Sequence, residues 1–137
     1  MKVELDSYGI APKKAHKEDA GFDLFTPDDI CVPAGEERTV SIGVHVEIPY
    51  GYAGFIKTKS GINVNRSCTT EGVIDCGYAG EIKVLIRNHG PHPQYFDAGD
   101  KIAQLCLVKI SEDSDVEIVK KIAAGERGNG GFGSTGK

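Results

Sequence analysis

Residues 39–48 alternate without a break: Val40, Ile42, Val44, Val46 and Ile48 are apolar, and Thr39, Ser41, Gly43, His45 and Glu47 stand between them. A period of two held over this length fits the pleat of a strand with one buried face, and it cannot be laid on a helix. Pro49-Tyr50-Gly51 ends it with a turn signal. Ala53 to Thr58 reads as the next strand, and Glu81 to Asn88 as another with Ile82, Val84 and Ile86 on one face. The stretch His89-Gly90-Pro91-His92-Pro93 breaks that run. Lys101 to Ile110 is apolar on both faces, which puts it in the middle of a sheet. Val116 to Val119 reads as a short final strand, and a helical turn or two fits Ser60 to Arg66.

Composition agrees. Ile and Val together number 24 against 5 Leu, and 18 of the 137 residues are glycine, which suits short strands and tight turns better than helices. One all-β domain of sandwich or barrel type follows. The net charge of −4 argues against a non-specific nucleic-acid binder but permits a small anionic ligand held by local donors. No apolar run is long enough for a transmembrane helix, so no membrane partner is expected. Met1 to Asp6 carries charges where a signal peptide has its apolar segment, which leads to the expectation of a cytoplasmic protein. Cys31, Cys68, Cys76 and Cys106 lack C-x-x-C spacing, so they read as thiols rather than zinc ligands.

Five segments carry groups suited to chemistry. Glycines in Arg127-Gly128-Asn129-Gly130-Gly131-Phe132-Gly133-Ser134-Thr135-Gly136 let backbone amides approach an anion, and Ser and Thr add hydroxyl donors. The G-x-G-x-x-G within it opens no helix of a βαβ unit, so a dinucleotide fold is excluded. In Gly72-Val73-Ile74-Asp75-Cys76-Gly77-Tyr78, Asp75 is either a general base or an Asp that bonds its own turn. Lys57-Thr58-Lys59-Ser60-Gly61 offers cations and hydroxyls to a phosphate, or else is a solvated strand end. Gln104, a polar residue in the apolar run Gly99-Asp100-Lys101-Ile102-Ala103-Gln104-Leu105, needs partners that serve either structure or a site. Ala20-Gly21-Phe22-Asp23-Leu24 is the weakest of the five. His89 and His92 read as loop residues, and His16 and His45 receive no role.

Together and in this order, the five segments resemble the five motifs of the trimeric deoxyuridine triphosphatases (dUTPases), from about residue 18 to the C-terminus. The resemblance implies a distorted jelly-roll β domain over residues 1–124 and a glycine-rich arm, 125–137, that closes over the active site. It further implies a homotrimer with shared sites that hydrolyses dUTP to dUMP and pyrophosphate with Mg²⁺. Asp75 would be the catalytic base for a water attacking the α-phosphorus. Lys59, Ser60, Gly61 and Gln104 would contact phosphates. Thr69, Val73 and Ile74 would read uracil, largely through main-chain hydrogen bonds, Lys83 would bind substrate, and Tyr78 would lie under the deoxyribose. Phe132 would stack on the base while Arg127, Gly133, Ser134 and Thr135 close on the phosphates. Mg²⁺ would be held mainly by the phosphates and water, with no direct protein ligand and with Asp23 as a partner of the bound waters. Four positions depart from the family pattern: Lys59 and Ala79 replace the usual Arg, Thr69 an Asn, and Gly77 an Asp. The dCTP deaminases share the fold but not the arm. A nucleotide-binding signalling protein would have no need of Asp75, and a structural jelly roll would have no need of an arm with Phe132.

Overall fold

A computed structural model describes residues 1–111, 115–123 and 125, and among them the chain forms ten strands and one short helix. In chain order these are β1 (Lys2–Leu5), β2 (Gly21–Phe25), β3 (Ile30–Val32), β4 (Glu37–Ser41), β5 (Val44–Glu47), β6 (Tyr52–Lys57), α1 (Ser60–Arg66), β7 (Cys68–Ile74), β8 (Lys83–Asn88), β9 (Gln94–Phe96) and β10 (Lys101–Lys109). Six of the strands make one antiparallel sheet in the order β2-β10-β6-β7-β8-β4. Two ribbons, β1-β5 and β3-β9, complete the β structure. The run that is apolar on both faces, β10, does lie centrally, with β2 on one side and β6 on the other.

The alternating stretch keeps its burial pattern but is not one strand. Val40, Ile42, Val44, Val46 and Ile48 are all at most 6% exposed, yet β4 pairs with β8 whereas β5 pairs with β1. Gly43 makes the change of direction. Its φ of 62° lies in the left-handed region, where glycine carries no steric penalty. Its amide donates to Glu81 Oε1 at 2.9 Å, and its carbonyl accepts from the Asp6 amide at 3.0 Å. A Cβ here would stand 2.9 Å from the Gly9 backbone, so the two segments touch without a side chain between them. Alternation fixes which side chains face the core; it does not say which neighbour each half pairs with.

Ile82, Val84 and Ile86 are fully buried, as their spacing predicts, and pack with Leu24, Val32, Ile56, Ile102 and Leu105 in a single core cluster. Each such side chain contributes about 1.5–3 kcal/mol by leaving water. Asn88, 2% exposed, is a polar spacer under the loops: its amide donates to Val32, Pro33 and His92 carbonyls, and its oxygen accepts from the Gly90 amide. The helix at Ser60–Arg66 stands where the sequence predicts it. The expected strand at Val116 to Val119 is not formed; Val116 and Ile118 are 92% and 95% exposed, and neither belongs to a strand pairing among the described residues. Gly43→Ala should destabilise the fold by about 2 kcal/mol, from the left-handed φ and the close Gly9 contact. A lowered urea midpoint at constant slope checks this; an unchanged midpoint would mean that the hinge has slack.

Candidate functional site

Pairing register brings the first cluster together. Asp23 on β2 stands opposite Gln104 on β10, which stands opposite Lys57 on β6, which stands opposite Glu71 on β7, a polar row across four strands. Asp23 is 4% exposed. One of its carboxylate oxygens pairs with Lys59 Nζ, and the other with Lys101 Nζ at 2.8 Å. Burial alone would raise its pKa, but hydrogen bonds from Lys101 and Lys59 outweigh that and hold it below the usual carboxylate range. Lys59 is the residue before α1, and Ser60 and Gly61 form the exposed first turn of that helix. Gln104 Nε2 donates to the Thr58 carbonyl at 3.2 Å, giving the polar residue of the central strand its partner.

A second feature comes from a change of partner. β7 pairs with β8 only from Cys68–Asn88 to Thr70–Ile86, and with β6 from Lys57–Glu71 to Gly54–Ile74. Past Thr70 the strands β7 and β8 part, leaving a wedge between residues 71–74 and the start of β8. Continuing the same register would set Val73 against Lys83. Thr58 pins the fork, since its hydroxyl accepts from the Thr70 amide at 2.7 Å and donates to the Thr70 carbonyl at 3.0 Å.

At the open end of the wedge lies a turn. The Tyr78 amide donates to the Asp75 carbonyl at 3.2 Å, with Gly77 at φ 89° in the third position, where the turn requires a residue of positive φ. This gives the departure at Gly77 a local reason. Asp75 and Tyr78 are exposed, and the Tyr78 hydroxyl donates to the Glu81 carbonyl at 3.0 Å. Glu81 Oε1 accepts from the Gly43 amide and from the Tyr8 hydroxyl, both at 2.9 Å. The amide contact lowers the Glu81 pKa, and the contact with Glu81 pushes the Tyr8 phenol up to about 12.

The two clusters lie apart. Lys59 is two residues beyond the Lys57–Glu71 pair, whereas Asp75 is one step past Gly54–Ile74. Lys57 and Gly54 are three residues apart on β6, so the two ends of the β6–β7 pairing lie about 10 Å apart at roughly 3.3 Å per residue. Val73 and Ile74 end β7 beside Asp75, and Lys83 opens β8 across the wedge. Thr69 stays at the Lys59 end, its hydroxyl 2.8 Å from His89 Nε2. Arg127, Phe132, Gly133, Ser134 and Thr135 lie outside the described residues. Thr58, Lys101 and Glu81 stand within the motif segments but carry no role of their own in the sequence reading, and Tyr8 stands outside them.

A family model described as dUTPase matches residues 7–136. The chain belongs to the dUTPase family. Among the curated dUTPase relatives, the deoxyuridine 5'-triphosphate nucleotidohydrolase of Clostridioides difficile is 39% identical over 140 residues, covering 99% of this chain and 97% of its own length. That of Candida glabrata is 39% identical over 139 residues, covering 100% and 96%. The Staphylococcus bacteriophage 80alpha dUTPase solved with dUPNHPP superposes with a TM-score of 0.91 at 26% identity, covering 99% and 98%. A phage phi11 dUTPase variant from S. aureus, 24% identical with a TM-score of 0.81 over 90% and 98% of the two chains, is described with a structural Mg(II) ion. The sheet is thus the jelly roll of dUTPases.

Among the described residues of this dUTPase, no three His, Cys, Asp or Glu side chains converge on a metal position. Because the Asp23 pKa is depressed, its stabilisation is present above the unfolded value and is lost as pH falls through the folded one. Lys101→Ala should therefore raise the acid-unfolding midpoint and cost about 1 kcal/mol at neutral pH, discounted for solvent screening of a half-exposed lysine. An acid titration followed by circular dichroism measures this, and an unmoved midpoint would show that Lys59 alone neutralises Asp23.

Proposed function

We propose that this dUTP diphosphatase holds uracil in the wedge between β7 and β8, seats the triphosphate on Lys59, Ser60, Gly61 and Gln104, and uses Asp75 to activate water. The observation that carries the reading is the parting of β7 from β8 after Thr70, which leaves two strand edges facing each other beside Asp75 and Tyr78. Strand edges offer amide donors and carbonyl acceptors. Uracil presents an N3–H donor between the O2 and O4 acceptors, so the backbone near Val73, Ile74 and Lys83 can match it. Cytosine inverts positions 3 and 4 and would leave groups unpaired. Thr69 is turned to His89 instead, so main-chain contacts carry the base recognition. Tyr78 borders the turn as a flat wall for the deoxyribose.

In the reaction, the water oxygen forms a bond to the α-phosphorus as Asp75 takes its proton. The bond from that phosphorus to the bridging oxygen breaks, dUMP remains and pyrophosphate leaves. Lys59 and the amides of Ser60 and Gly61, which open α1, stabilise the phosphate charge. Mg²⁺, when bound, would supply further neutralisation of the triphosphate, and Asp23 could accept from its waters only with an oxygen that Lys59 or Lys101 releases. The arm at 125–137 closes the site through Arg127, Phe132, Gly133, Ser134 and Thr135, with 1–124 as the β domain.

The Lys59 cluster and the Asp75 turn stand at opposite ends of the β6–β7 pairing, and this supports a homotrimer with sites built across copies. Cytoplasmic location is supported by the four free cysteines, which suit a reducing compartment. No described helix is long and apolar enough to cross a membrane.

Asp75→Asn should reduce pyrophosphate release by about 10²–10⁴-fold while dUTP still binds, as measured by single-turnover assay and calorimetry. Normal turnover in that variant would remove Asp75 from the mechanism. Mixed after co-refolding at equal amounts, Asp75→Asn and Lys59→Ala chains should regain activity at roughly a quarter of the sites, the share that draws both intact halves from different copies. A mixture as inactive as its components would mean that each site belongs to one chain.

A further inference from the structure

His45 lies on β5, directly opposite Glu4 of β1, with its side chain 24% exposed. Its Nδ1 is 3.0 Å from the Ala79 carbonyl oxygen, and its Nε2 is 3.3 Å from Asp6 Oδ2. A carbonyl and an ionised carboxylate only accept hydrogen bonds. A neutral imidazole has a single N–H and can satisfy one of the two, whereas an imidazolium satisfies both. We propose that His45 is a positioning residue, an imidazolium that ties the turn bearing Asp75 and Tyr78 to the N-terminal segment.

Ala79 is the residue after Tyr78, and nothing else in the turn binds its carbonyl among the contacts described. The N-terminal segment grips the same stretch a second time, through Tyr8 on Glu81. Beside the His45–Ala79 contact lies a cavity of about 450 Å³, lined by Lys2, Glu4, His45, Gly77, Tyr78 and Ala79 among others, so packing alone does not hold this side of the turn. The charged groups around the ring are Glu4 and Asp6 from the N-terminal segment and the Lys2–Glu47 pair at 2.8 Å on the cavity wall; the turn contributes Tyr78. The Ala79 carbonyl first, and then Asp6, raise the His45 pKa above 6.5. A raised histidine pKa means that the tie is complete below the unfolded value and is lost as pH rises through the folded one.

The role of the turn in catalysis rests on the reading given under Proposed function; the tie itself does not. Nitrogen-15 NMR of the His45 ring in the intact protein should show both nitrogens protonated at pH 6.5, with titration above that pH. A neutral ring at pH 6.5 would overturn the proposal. His45→Phe should speed amide exchange at Gly77 and Tyr78 about tenfold, lower kcat/KM for dUTP several-fold and flatten its decline on the alkaline side. His45→Gln, with one donor, should recover part of the loss. Lower thermal stability with exchange and the pH profile unchanged would make His45 merely structural and sink the idea. Should His45→Phe not fold, Asp6→Asn must lower the His45 titration point, and an unmoved value counts against the tie. A wild-type chain inactive on dUTP but with exchange that follows His45 would overturn the functional reading and leave the tie standing.

Discussion

The hydroxyl of Thr58 meets both backbone groups of Thr70, accepting from the amide and donating to the carbonyl, at the point where β7 exchanges β8 for β6. A side chain there takes the place of a ladder pair. Without it, the buried backbone of Thr70 would lose partners on that side, at a cost of about 1–3 kcal/mol for each group left unsatisfied. With it, β7 stays in register with β6 as far as Ile74 while β8 turns toward β4. The wedge follows from that divergence, and the Asp75–Tyr78 turn follows from the wedge, because the chain must cross its mouth to reach Lys83. The carbonyl of Thr58 also accepts from Gln104, so the same residue connects the phosphate-side cluster to the fork.

Charge is organised on a different principle. The chain as a whole is anionic, yet the Lys59 end concentrates cations around one buried carboxylate. Asp23 sets the resting position of Lys59 and keeps the ammonium from being stranded against the sheet. On the proposed reading, a triphosphate would compete with Asp23 for Lys59, with Lys101 still holding the other carboxylate oxygen. This gives the replacement of the family's arginine a physical sense. A guanidinium forked onto a carboxylate is held by paired bonds in one plane, whereas an ammonium is a point charge on a flexible stem that can pivot between acceptors.

The sequence revealed the parts that depend on near neighbours. Alternation marked the buried faces of β4, β5 and β8, two-sided apolarity marked β10 as central, and the short helix followed from its boundaries. The break at Gly43 was not legible, because its cause is a contact with Glu81, 38 residues away. The same holds for Tyr8 on Glu81 and His45 on Ala79, separated by 73 and 34 residues. The turn from Asp75 to Tyr78 was marked by its glycine, but the uses of Thr58 and Lys101 depend on register across the sheet, which no local pattern encodes. Thr69 shows the reverse limit: the motif pointed to the base, whereas its hydroxyl is taken up by His89.

Val116 and Ile118 show a second limit of periodicity. Their alternation is that of a strand, but in this chain they are almost wholly in water. Ile122, at 81% exposed, continues the apolar character. Three β-branched side chains fully exposed within seven residues forgo about 1.5–3 kcal/mol each that burial would supply. A strand pattern with no strand beside it is accounted for if the pairing partner belongs to another copy, and the separated half-sites ask for the same thing. The segment also leads directly from β10, which carries Gln104, to the glycine-rich arm. On the trimer reading, seating residues 115–123 on a neighbour would both bury that apolar stripe and carry the arm away from its own phosphate-side cluster toward a site completed by other copies.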